Sequence, residues 1–242
     1  MNVIKGDCVM SRVIERFYND EKSFNHSVES NISYLLSKAI EERGQATFLV
    51  SAGKTPKFLY KSLSNTELFW NQVKVATVDE RWVETNDKLS NEQLIRSTLL
   101  QNNAKGATFH GMKTDAKHAI DAISDINKTY ASFNAPFDIT VLGMGNDGHT
   151  ASLFPRANDL DDSSSLCRSI QMNNNEQTTE VNERVTLTLS SLLQSKVIFL
   201  LLRGKEKLKT YQKAMDGTDA FEMPIRAILQ QNKIPVVVNW AP

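Results

Sequence analysis

Cysteine is nearly absent from this chain. Its two, Cys8 and Cys167, are too few for a disulfide framework, and there is no CxxC pair and no Cys/His cluster spaced for zinc. Each is expected to be a reduced, partly buried thiol. Long hydrophobic runs are missing too: none approaches the roughly 18 residues needed to span a bilayer. The N-terminal MNVIKGDCVMSRVIERFYND mixes charges into its apolar positions, where a signal peptide would carry a continuous apolar stretch. A cytoplasmic protein is the expectation. Nor is either sign of charge in excess, since 28 basic residues face 28 acidic ones. No global field draws the chain to nucleic acid or to an anionic membrane, so an anionic partner has to be recognised locally. Glycine is scarce as well, ten in all, yet Gly143, Gly145 and Gly148 fall in the single stretch VLGMGNDGHTASLFP. Something must approach that backbone closely.

What is present is the balance of an ordinary globular protein, 40% hydrophobic and 23% charged, able to bury a real core. Residues 23–43 carry apolar side chains near the helical period and stop before Gly44. ATFLV (46–50) is a continuous apolar run of strand length, followed by the turn SAGKTP and the helical KFLYKSL. The alternation then repeats. Strands are expected at 73–79, 137–143, 184–189, 196–202 and 234–240, and helices at 91–100, 115–133 and 205–215. Strands rich in Val, Ile and Leu and separated by helices imply a doubly wound α/β fold, a mostly parallel sheet with helices on both faces. Two polar stretches, 156–165 and 173–182, read as loops, the second of them exposed. With no repeat and no Pro/Gly/Ser linker, the expectation is one domain over 1–242.

In such sheets ligands bind beyond the carboxyl ends of the strands, and the unusual residues of this chain fall there. They are Ser51, Gly53, Lys54 and Thr55; Asp79, Glu80 and Arg81; Asp147 and His149; and Gly204, Lys205 and Lys207. SAGKTP opens a helix, so its N–H groups with the Ser51 and Thr55 hydroxyls can cradle an anion; the competing reading is a plain helix cap. The Walker pattern GxxxxGK[ST] does not fit here, and GMGNDG, though it matches GxGxxG, does not open the first βαβ unit. The glycines instead let a loop turn sharply and bring Asp147 and His149 to the rim, where an imidazole can act as a general base near neutral pH. Arg81 offers a planar fork to a phosphate or a developing oxyanion. Arg184 and Lys207 complete a set that suits a phosphorylated substrate.

SAGKTP, VDERWV, the SN of DKLSNEQL, GMGNDGHTASLFP, ERVTLT and GKEK occur in the order and spacing of the 6-phosphogluconolactonases. The resemblance runs from the first strand to the final IPVVVNW, and GMGNDGHTASLFP is its most specific motif. It implies hydrolysis of 6-phospho-D-glucono-1,5-lactone to 6-phosphogluconate in the oxidative pentose phosphate pathway, without metal or organic cofactor. By the same resemblance His149 takes the proton of the attacking water and Asp147 orients it. Ser51, Gly53, Thr55, Arg184 and Lys207 meet the phosphate, Arg81 binds substrate or steadies the oxyanion, and Asp79 holds sugar hydroxyls. The family's first loop usually reads SGGSTP; here Ala52 and Lys54 stand in it, and Lys54 is left between a phosphate contact and solvent.

Two alternatives carry their own signatures. The related glucosamine-6-phosphate deaminases resemble FNEP after the DGH loop, where this chain reads SLFP (152–155) with no carboxylate. A sugar-phosphate-sensing domain of a regulator would carry a helix-turn-helix and a basic face, against a single long helix before the first strand. Balanced charge and the lack of an evident amphipathic dimer helix favour a monomer, with a small phosphorylated lactone as partner.

Overall fold

The computed structural model describes residues 12–133, 135–157, 160, 164–172 and 181–242. Cys8 and most of the polar stretches 156–165 and 173–182 lie outside them. The chain runs β1 (Val13–Phe17), α1 (Glu21–Arg43), β2 (Ala46–Val50), α2 (Lys54–Leu63), β3 (Val73–Thr77), β4 (Asp79–Arg81), α3 (Asn91–Thr98) and β5 (Thr108–His110). It continues through α4 (Ala119–Ala131), β6 (Ile139–Leu142), β7 (Cys167–Gln171), β8 (Glu183–Leu187), α5 (Leu189–Leu192), β9 (Ile198–Arg203), α6 (Lys205–Asp216), α7 (Ile225–Leu229) and β10 (Val236–Ala241).

Seven strands form one sheet in the order β1-β10-β9-β6-β2-β3-β5, and every pairing in it is parallel. Side chains alternate between its faces as the two-residue period of a strand requires. On β9, Phe199 and Leu201 join the core beneath α1, α2 and α3. Ile198, Leu200 and Leu202 join the core beneath α4, α6 and α7. The apolar stripe of α1 buries Phe24, Val28, Ile32, Leu36, Ala39 and Ile40. Full burial of a large aliphatic or aromatic chain contributes about 1.5–3 kcal/mol, so packing outweighs intrinsic propensity in holding this helix. Its ends are set locally: Asp20 accepts from the Ser23 N–H at 2.7 Å, and Gly44 closes the far end in the left-handed region at φ +73°.

The doubly wound sheet with helices on both faces is the architecture expected from the sequence, with three corrections. The stretch 73–79 is not one strand. The chain leaves the parallel sheet after Thr77, and Asp79–Arg81 pairs antiparallel with β8, which pairs antiparallel with β7. The stretch 184–189 accordingly belongs to a separate three-stranded sheet, and it ends early because the Thr188 hydroxyl accepts from Ser191 N–H and starts α5. The helix expected from 115 begins at Ala119, where Glu183 of β8 accepts from the Ala119 N–H at 2.7 Å and pairs with His118 Nδ1 at 2.9 Å. Strands β1, β5 and β7 were not anticipated; β5 is only three residues long, and β1 exposes three of its five side chains.

Winding from β2 goes outward to β3 and β5, while winding from β6 goes the other way to β9 and β10. The switch therefore falls between β2 and β6, the place where the fold leaves a crevice at the strands' carboxyl ends.

Candidate active site

A cleft of about 340 Å³ opens at this switch point. A larger groove of about 1190 Å³, lined by Glu41, Phe69 and Lys105, lies at the opposite, amino ends of the strands. It gathers none of the rim residues singled out above. Among the described residues no helix is long and apolar enough to cross a membrane, and no group of three or more His, Cys, Asp and Glu is placed to hold a metal ion.

The first wall is the loop after β2. Gly53 caps α2 with φ +152°, and no side chain caps that helix, so the plain-cap reading of SAGKTP does not hold. Its first N–H groups face a cleft lined by Ser51, Gly53, Lys54 and Thr55. Ser51 is buried and its Oγ has no hydrogen-bond partner. An uncapped N-terminus forgoes about 1 kcal/mol, and its free N–H groups suit an anion. Lys54 lines the cleft from an exposed position.

The second wall is β4 against β8. Arg81 and Arg184 are direct cross-strand partners and both face the cleft. Like charges placed opposite each other destabilise a strand pair, and the neighbouring charge of Asp79 works against that repulsion. Arg184 is buried, its Nε has no hydrogen-bond partner, and its guanidinium carbon sits 5.4 Å from the centroid of the Phe154 ring. Burial lowers its pKa first of all, with Arg81 adding to the effect and Asp79 and Glu80 opposing it; an arginine stays charged regardless. Arg81 is fixed by Nη1, which donates to Leu89 O at 2.8 Å and Asn91 Oδ1 at 3.0 Å.

Asn91 also donates through Nδ2 to Asp79 Oδ1 at 3.0 Å, and Ser152 Oγ donates to Asp79 Oδ2 at 2.7 Å. Beneath these lies Glu80, fully buried. Its carboxyl accepts from the N–H groups of Arg81, Asn91 and Glu92 at 2.7–2.8 Å and so pins the start of α3. Burial pushes Glu80 up to about 7, against the pull of those three donors.

The third wall is the loop after β6. Asp147 Oδ1 lies 2.6 Å from His149 Nδ1 and accepts from the His149 backbone N–H at 3.1 Å. Burial raises the Asp147 carboxyl, but the hydrogen bond and charge of His149 outweigh it and hold the group below the usual range. Two glycines shape this loop for different reasons. Gly148 sits at φ +82° and its N–H bonds to Gly145 O at 3.2 Å. A Cβ on Gly145 would lie 2.2 Å from His149 Nδ1 and 2.4 Å from Asp147 Oδ1, so the absent side chain makes room for the pair. Lys207, in the first turn of α6, closes the cleft. Burial lowers its ammonium, and the charge of Asp147 partly offsets this.

Of the nine residues to which the resemblance gives roles, Ser51, Gly53, Thr55, Asp79, Arg81, His149, Arg184 and Lys207 line this one cleft. Asp147 stands behind His149. Three others escaped notice: Asn91, Ser152 and Phe154, whose ring lies 4.9 Å from that of His149. All three sit inside quoted motifs, but nothing in their residue type announces a role.

The chain has close relatives among known proteins. A 6-phosphogluconolactonase from Rhizobium meliloti is 35% identical over 225 residues, 93% of this chain and 97% of that protein. One from Xylella fastidiosa is 35% identical over 92% of this chain and 94% of that protein. The crystal structure of a 6-phosphogluconolactonase from Shewanella baltica superposes with a TM-score of 0.90 at 37% identity, covering 95% of this chain and 98% of that one. Residues 19–238 match the family described as glucosamine-6-phosphate isomerases/6-phosphogluconolactonase, and the chain belongs to that family.

Proposed function

We propose that this chain is a 6-phosphogluconolactonase, hydrolysing 6-phospho-D-glucono-1,5-lactone to 6-phosphogluconate in the oxidative pentose phosphate pathway. The observation that carries the reading is the bonded His149–Asp147 pair in one cleft with Arg81, Arg184 and Lys207. Ester hydrolysis needs a base for water and positive charge for the oxyanion, and a phosphorylated substrate needs more positive charge still.

In the proposed mechanism Asp147 holds the Nδ1–H of His149, leaving Nε2 to take a proton from water as its oxygen attacks C1. The oxyanion that forms is met by Arg81. Collapse of the tetrahedral intermediate breaks the bond between C1 and the ring oxygen, and His149 returns its proton to that oxygen. Ser51, Gly53 and Thr55 at the start of α2 bind the phosphate with Arg184 and Lys207, and Asp79 holds sugar hydroxyls. The chain acts as one domain over 1–242, as a cytoplasmic monomer.

Less supports the deaminase reading. Among the described residues the acid hydrogen-bonded to His149 is Asp147, and the SLFP segment turns a serine to Asp79 and a phenylalanine to His149. The regulator reading has no support in the relatives above, whose names are those of enzymes. The deciding experiment generates the lactone enzymatically and follows its loss, with ammonia release from glucosamine-6-phosphate measured in parallel. Rapid lactone loss without ammonia is the expected result; ammonia release without lactone loss would overturn the reading.

A further inference from the structure

Phe154 is a buried aromatic residue that none of the proposed roles uses. It is 9% exposed, yet it belongs to neither of the two apolar cores that flank the sheet. Two of its neighbours are polar groups of the cleft. The ring lies 4.9 Å from the His149 ring, tilted by 41°, and 5.4 Å from the Arg184 guanidinium carbon. One aromatic surface therefore touches the proposed base, on the loop after β6, and a proposed phosphate ligand, on β8.

The turn that delivers it is held against local preference. Ala151 adopts φ +47°, a region that a residue with a Cβ seldom occupies. Leu153 N–H bonds to Thr150 O at 2.9 Å. Ser152 is fixed at both ends, its Oγ on Asp79 and its N–H on Thr186 Oγ1 at 3.2 Å. Strain of this kind persists where the surroundings over-determine a conformation, and here the conformation places Phe154.

We infer that Phe154 is a positioning residue, whose ring sets the plane of the His149 imidazole and the seat of the Arg184 guanidinium together. The inference rests on the lactonase reading. Arg184 Nε has no hydrogen bond to orient it, so the ring face, which attracts a cation, helps to fix the group beside the charge of Asp79. An uncharged ring also orients the imidazole without bringing a second acid into competition with Asp147.

The test compares Phe154→Leu and Phe154→Tyr with the parent, using phosphorylated and unphosphorylated gluconolactone and recording kcat, KM and Tm. Leucine keeps apolar bulk and loses the ring. It is expected to lower kcat on the order of tenfold and to raise KM for the phosphorylated lactone alone, while tyrosine restores most of both. Parent-like kcat and KM in Phe154→Leu would overturn the inference. So would a Tyr variant that folds and falls as far as the Leu variant, since bulk rather than the ring would then be what matters. Should Phe154→Leu not fold, Phe154→Met decides by the same readings. A parent that does not hydrolyse the lactone at all removes the lactonase reading and this inference with it, an outcome distinct from any ranking of the variants.

Discussion

His149 can serve as a base only while Nδ1 faces Asp147 and Nε2 faces water, and the residue that permits this is Gly145. A methyl group there would stand within 2.4 Å of both partners. Gly145→Ala is therefore expected to lower kcat by roughly 100-fold, the scale of a 1 Å misplacement, with an unchanged far-UV spectrum; a kcat near the parent's would mean that the pair tolerates displacement. The sequence led to Asp147 and His149 because a cluster of glycines at a strand end is rare enough to notice. It could not separate the glycines' tasks, since positive φ at Gly148 and side-chain room at Gly145 look alike in one-letter code. Phe154 and Asn91 stayed hidden for a related reason: phenylalanine usually signals core and asparagine a loop. Only the fold shows the first touching His149 and the second joining Asp79 to Arg81.

At the scale of elements, the short β4 does more for the site than any long strand, because it sets Arg81 beside Arg184. If Arg184, with Lys207, receives the phosphate, Arg184→Ala and Lys207→Ala should raise KM for the phosphorylated lactone and leave the unphosphorylated one nearly unaffected. Variants that discriminate as well as the parent would dissolve the assignment. The same strand carries Glu80, whose pKa in the folded chain is raised from 4.5 to about 7. Between those values the folded chain holds a proton that the unfolded chain has released, so stability falls as pH rises. Its contribution is complete below about 4.5 and gone once pH has passed about 7, a span worth on the order of 3 kcal/mol at 1.36 kcal/mol per unit. Denaturant unfolding of the parent and of Glu80→Gln across this window should show the parent's relative stability declining; a constant difference would contradict it. The sequence read 73–79 as one apolar strand because hydrophobicity continues through Val78. The partner that draws the chain aside is β8, more than a hundred residues away, and local pattern carries no trace of it.

For the molecule as a whole, the alternation of apolar runs and amphipathic stretches was enough to read a doubly wound sheet, because burial on both faces leaves a strong and continuous signal. The second sheet was not legible, since β7 and β8 are set by antiparallel pairing rather than by composition. What the fold adds to the sequence is convergence. The loops after β2 and β6 meet because winding reverses between them, and β4, β8 and α6 bring three cations to the same crevice. The central claim is that this crevice hydrolyses a phosphorylated lactone through His149. The most direct measurement is the turnover of 6-phosphogluconolactone by the parent and by His149→Ala, with spontaneous hydrolysis subtracted and the fold of each checked. The account predicts rapid turnover by the parent and a loss of about 100-fold or more in the variant; a folded variant that turns over the lactone at nearly the parent's rate would contradict it.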